Sequence, residues 1–214
     1  MKAYELLIFD WDGTLMDSIG KIVRCMENTA RVMALPIPSE QAVRDIIGLS
    51  MTEALQCLYP AGSVGEYQAL REEYKQQFLQ LDTTPSPLFS ETPALLSQLR
   101  SEKYLLAVAT GKARAGLERV LGETGLGEFF HASRSADEAR SKPHPDMLQQ
   151  LLAELKIAPE RALMVGDSVH DLNMAACAGM DAIGVSYGAH SRERLHEAAP
   201  KAIIDTPLGL LHHL

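Results

Sequence analysis

The strongest constraint on the fold of this chain is a set of short apolar runs that no polar residue interrupts. They span residues 6–9, 105–109, 162–165 and 183–185, with 202–204 a weaker fifth. A strand exposed on one face alternates apolar and polar residues, so a continuous run marks a strand buried on both. The first three runs stop at polar residues, namely Asp10, Thr110 and the pair Gly166-Asp167, and a helical pattern follows each. Strands alternating with helices predict an α/β fold with a parallel sheet covered on both sides. Ligands of such sheets bind at the carboxyl ends of the strands, where these polar residues gather.

Residues 17–84 separate the first two runs and carry helical periodicity without a convincing strand. Ile19, Ile22, Val23, Met26, Ala30 and Met33 form an apolar stripe, with Asp17 or Ser18 as its cap and Pro36 and Pro38 as its end. Ser39 opens a second helix that Gly48 breaks. A third covers 51–59, and a longer polar one covers 65–81. The prolines in 83–87 mark a linker. The expected organisation is a core of 1–16 and 85–214 interrupted by a helical unit of 17–84. A length of 214 residues suits it, being one and a half domains at roughly 150 residues each.

Apolar types at 46% and charged types at 22% exclude a disordered or low-complexity chain. The net charge of −8 argues against nucleic-acid and anionic-membrane partners. Cys25, Cys57 and Cys177 are an odd number without a CxxC pair and read as reduced thiols. The N-terminal apolar stretch is too short for a signal peptide or a membrane span, so a cytoplasmic protein is expected. No coiled-coil heptad is present, consistent with a monomer or weak homodimer.

Four sites at strand ends carry chemistry. Asp10-Trp11-Asp12-Gly13-Thr14 sets two carboxylates two residues apart, a hard oxygen site suited to Mg²⁺. Aspartate is also a nucleophile toward phosphoryl groups, and Gly13 lets the backbone turn and approach an anion. Thr110-Gly111 supplies a hydroxyl and an N–H for phosphate oxygens at a helix start. Lys112 and Ala113 do not complete the loop of a P-loop nucleotide site. Lys142-Pro143-His144-Pro145 offers a stiffened lysine, with Pro145 at a first helical position and His144 facing solvent. Gly166-Asp167-Ser168-Val169-His170-Asp171 adds Asp167 to the metal shell, with Asp171 either a water-mediated ligand or the group that orients Lys142. His170 reads as exposed, since Mg²⁺ prefers oxygen.

In this order the four motifs resemble the haloacid dehalogenase superfamily, and the helical insertion is similar to the small α-helical cap of its phosphoglycolate phosphatase-like branch. The resemblance implies a Rossmann-like parallel sheet core with the cap inserted after the first strand. It further implies that Asp10 is the nucleophile, forming an aspartyl-phosphate, and that Asp12 is the general acid and then the base. Gly13, Thr110, Gly111 and Lys142 would bind the substrate. Mg²⁺ would be held by Asp10, the Asp12 main-chain carbonyl and Asp167, with Asp171 in support. The partner implied is a small phosphorylated metabolite. Trp11 departs from the smaller aliphatic residue usual between the two acids. Two other readings share the core: a phosphomutase, with Arg44 and the 48–50 turn holding a second phosphate, and a non-enzymatic phospho-accepting module. A dehalogenase fits less well, because the resembling dehalogenases lack the acid found here at Asp12.

Overall fold

The computed structural model of the protein describes residues 3–214. In chain order its elements are β1 (Leu6–Phe9), α1 (Ile19–Val32), α2 (Glu40–Ile46), α3 (Met51–Leu58), α4 (Val64–Gln76), α5 (Thr92–Ser101), β2 (Leu105–Ala109) and α6 (Arg114–Thr124). There follow β3 (Ala132–Arg134), α7 (Asp146–Leu155), β4 (Ala162–Gly166), α8 (Val169–Cys177), β5 (Asp181–Val185), α9 (Arg192–Glu197) and β6 (Ala202–Ile204). The strands form one sheet in the order β3-β2-β1-β4-β5-β6, parallel throughout.

The sheet confirms the sequence reading of buried apolar strands. Successive side chains of β1 leave opposite faces, as the strand pleat requires. Leu7 and Phe9 join Val108, Val165 and Val185 on one side, while Leu6 and Ile8 join Ala107, Met164 and Leu148 on the other. Truncating Leu7 to alanine in so filled a layer costs about 2–5 kcal/mol. Two strands run longer than expected, β4 to Gly166 and β5 back to Asp181. Strand β3 has no apolar run to announce it. Its Ala-Ser-Arg sequence is half-buried at the sheet edge, and register with β2 alone defines it.

The inserted helices gather their own apolar cluster, in which Ile22, Met26, Val43, Leu55 and Leu70 are buried together. Helix α1 stops at Val32, before the prolines expected to end it. Ala34 takes a left-handed φ of 52°, its N–H bonds Arg31 O at 3.2 Å, and Leu35 N–H bonds Ala30 O at 2.9 Å. That pair of bonds closes a helix end by itself, normally with glycine at the left-handed position. Residues 77–81 leave the α-helical path as a π-helical turn, Gln77–Leu81. The chain enters and leaves the insertion at two adjacent crossings: Phe89 N–H bonds Leu15 O at 3.1 Å, and Asp17 N–H bonds Pro87 O at 2.8 Å. Among the described residues no helix is long and apolar enough to cross a membrane.

Candidate active site

Phe9 pairs with Val108 on one side and Val165 on the other. Asp10, Thr110 and Asp167 therefore leave the sheet at one edge, and the Asp10 N–H bonds Val165 O at 3.0 Å. Past Asp10 the chain folds tightly around the Trp11 carbonyl, which accepts from the N–H groups of Thr14, Leu15 and Met16. Gly13 has a φ of +75°, and a β-carbon there would run into the Asp167 carboxylate. Both facts demand glycine. Trp11 points away from this edge: it is fully buried, donates to Met16 Sδ at 3.4 Å and meets the Phe130 ring edge-on at 6.3 Å. Its role is packing.

The structure brings Asp10, Asp167 and Asp171 together, with one carboxylate oxygen of each within 4.8 Å of the others. Lys142 is fully buried among them, its Nζ 2.7 Å from Asp10 Oδ1 and 2.7 Å from Asp171 Oδ1. Asp171 thus pairs with Lys142 while also belonging to the acidic cluster. Its other oxygen accepts from Ser168 Oγ at 2.6 Å and Ser168 N–H at 3.2 Å, a capping box at the start of α8. Asp167 Oδ2 accepts the Ala189 N–H at 2.7 Å, so the loop after β5 also reaches the site.

Burial drives the Asp10 carboxyl up to about 7, Lys142 opposing it and Asp171 adding to it. Burial likewise raises Asp167, with Asp10 and Asp171 as further causes. Burial alone would depress the Lys142 ammonium, but Asp10 and Asp171 hold it above the usual lysine range. Three buried carboxylates against one ammonium leave an excess of negative charge, and Asp10 Oδ2 is buried without a hydrogen-bond partner among the described residues. All the donors are hard oxygens. The cluster therefore fits a divalent cation, which would balance the excess.

The side chain of Asp12 lies outside that cluster. Its Oδ1 accepts from Ser18 Oγ at 2.6 Å and pairs with Lys112 Nζ at 3.0 Å. Neither partner was evident from the sequence. Ser18 read as a helix cap, yet its side chain makes no cap bond to α1 and turns to the acid instead. Lys112 sits in a segment whose sequence shows only an incomplete P-loop pattern. A short motif records nearness along the chain, whereas Lys112 reaches Asp12 across strands.

Other expectations need correction. Thr110 and Gly111 do not start a helix, since α6 begins at Arg114; the Thr110 hydroxyl accepts the Lys112 N–H at 3.2 Å. Pro145 precedes α7 rather than opening it. His144 is half-buried and its Nδ1 accepts the Asp146 N–H at 3.2 Å. His170 is also half-buried, its Nε2 2.9 Å from Asp45 O. Arg44, the residue on which the mutase reading rests, pairs with Glu40 at 2.8 Å and reaches Gly188 O at 3.4 Å.

Gly111 is where the insertion presses on the core. A β-carbon there would lie 2.5 Å from Leu49 O and 2.7 Å from Gly48 O, both backbone atoms of the loop after α2. Gly111→Ala is expected to cost about 1–3 kcal/mol in urea unfolding, because neither chain can yield cheaply. An unchanged midpoint would show that the contact is loose. Above this contact lies a cavity of about 380 Å³ lined by Asp10, Asp12 and residues of the insertion.

The model of the haloacid dehalogenase-like hydrolases matches residues 7–185, a span holding Asp10, Asp12, Thr110, Lys142, Asp167 and Asp171. The chain belongs to that family. Among curated relatives of this hydrolase, the protein named Probable phosphatase IndB from Dickeya dadantii is 35% identical over 210 residues, 94% of this chain and 89% of the relative. The phosphoglycolate phosphatase of Vibrio cholerae is 30% identical over 213 residues, 96% of this chain and 94% of the relative. A haloacid dehalogenase-like hydrolase from Bacteroides fragilis superposes with a TM-score of 0.89 at 25% identity, covering 97% of this chain and 99% of the other. The haloacid dehalogenase-like fold thus spans sheet and insertion alike.

Proposed function

We propose that this phosphoric monoester hydrolase is a Mg²⁺-dependent phosphatase of a small phosphorylated metabolite, working through an aspartyl-phosphate. The observation that carries the reading is the Asp10–Lys142–Asp171 arrangement beside Asp167, a buried carboxylate nucleophile with a fixed ammonium at contact distance. The names of its phosphatase relatives point the same way.

Asp10, Asp167 and the Asp12 main-chain carbonyl would hold the ion. When bound, Mg²⁺ supplies charge neutralisation, letting one anion approach another. Asp10 attacks phosphorus, the bond to the leaving oxygen breaks, and Asp12 gives that oxygen a proton. Ser18 and Lys112 both occupy Asp12 Oδ1, which leaves Oδ2 to carry it. Lys142, with the Thr110 hydroxyl and the Gly111 N–H, stabilises the transferring group. Water then attacks the acyl-phosphate, its proton passes to Asp12, and inorganic phosphate leaves Asp10 free. The insertion acts as the cap, limiting water at this centre.

Phosphate release from p-nitrophenyl phosphate in Mg²⁺ tests the proposal. Turnover is expected to vanish in EDTA and return with added Mg²⁺. Equal rates with and without the chelator would remove the metal from the reading.

A further inference from the structure

The cavity beside Asp10 and Asp12 has a chemical character of its own. Its lining away from the two acids includes Ile22, Met26, Ile47, Met51, Tyr74 and Phe78. The Tyr74 and Phe78 rings stack at 5.9 Å with 27° between their planes, two roughly parallel rings that both line the cavity. They stand where α4 passes into the π-helical turn, a departure often found at functional positions.

Arg71, Lys75, Lys112 and Arg119 line the same cavity, and Lys21 Nζ lies 4.9 Å from the Phe78 ring centroid. Lys112 pairs with Asp12 and lies over the Phe78 ring at 5.3 Å. Arg119 pairs with Glu123 at 2.8 Å, and Arg71 and Lys75 are exposed. A leaving group bearing its own carboxylate would lose hydration against the apolar wall, and an ion pair with the exposed Arg71 or Lys75 returns little in solvent. A ring placed there buries apolar surface against two aromatic neighbours. A cavity of about 380 Å³ is also in the size range that encloses an extended ligand, roughly 300–1,000 Å³.

We infer that the preferred substrate is a phosphomonoester whose leaving group carries a flat, largely apolar ring, seated along Tyr74 and Phe78 while its phosphoryl group meets Asp10. This rests on the proposed phosphatase activity and names the substrate class for it. The ring binds the insertion and the phosphate binds the core, so Tyr74 and Phe78 set specificity without touching phosphorus.

Benzyl phosphate, ethyl phosphate and 2-phosphoglycolate all release an alkoxide, so the group attached to it is the main variable. With Mg²⁺, kcat/KM for benzyl phosphate is expected to exceed both others tenfold or more, mainly through KM. Tyr74→Ala and Phe78→Ala should each reduce the benzyl-to-ethyl ratio at least fivefold, and Phe78→Tyr should restore it. Benzylphosphonate, which resists hydrolysis, should compete at least tenfold more tightly than ethylphosphonate. A preference for 2-phosphoglycolate, or a ratio unmoved by both alanine variants, would overturn the inference. If none of the three esters releases phosphate, the phosphatase reading itself falls. The two phosphonates, compared by calorimetry in Mg²⁺, then still decide the ring's place, since equal binding rejects it.

Discussion

Lys142→Met protein is expected to lose activity by about 10²–10³-fold or more and stability by roughly 3–5 kcal/mol at pH 8. The side chain is fully buried, with its ammonium 2.7 Å from both Asp10 and Asp171. Methionine fills much of the same space, so the loss is one of charge: three carboxylates remain in a dry pocket with nothing opposite them. Arginine should not rescue, because a planar guanidinium does not fit a space shaped for a single ammonium. Phosphate release and urea unfolding measure the two effects. Near wild-type turnover in the methionine variant would show that the ammonium is not the charge the phosphoryl group meets.

Asp10→Asn should separate the two quantities. Turnover is expected to fall by roughly 10⁴-fold or more, because an amide is no nucleophile toward phosphorus. Stability should move the other way in metal-free protein. The folded-state Asp10 titrates near 7 against an ordinary 3.8, so the folded form keeps a proton that the unfolded chain has released. Stability contributed by that proton is present at low pH and is lost as pH rises through the folded value. The asparagine variant does not pay this penalty. Its advantage over wild type should open between about pH 4 and 7 and stay level above, read as a difference in thermal midpoint with EDTA present. Added Mg²⁺ should raise the wild-type midpoint more than that of the variant. A wild type more stable than the variant at pH 8 without metal would contradict the excess of negative charge at this site.

The sheet was legible because burial on both faces leaves a signature in every residue of a strand. Runs at 6–9, 105–109 and 162–165 carry it, while Ala132–Arg134 does not, since an edge strand is held by its neighbour's hydrogen bonds. Acids of the site were legible for a related reason: Asp10 and Asp167 sit where the chain must leave the sheet. Ser18 and Lys112 were not, because each looks ordinary in its own segment and gains meaning only from Asp12 across the fold. The same holds for the cavity wall. Tyr74 and Phe78 lie in a segment, 65–81, that reads only as a longer polar helix, and the π-helical turn and the docked insertion bring them toward the acids.

The paired crossings at Leu15–Phe89 and Asp17–Pro87 have a consequence for how such molecules diversify. Outgoing and returning chains run side by side, so everything between them is covalently joined to the core at a single stem. A longer, shorter or wholly different excursion can be spliced at that stem while each strand of the sheet keeps its neighbours. The machinery for breaking the ester and the choice of which ester to admit are thereby carried on segments free to change independently.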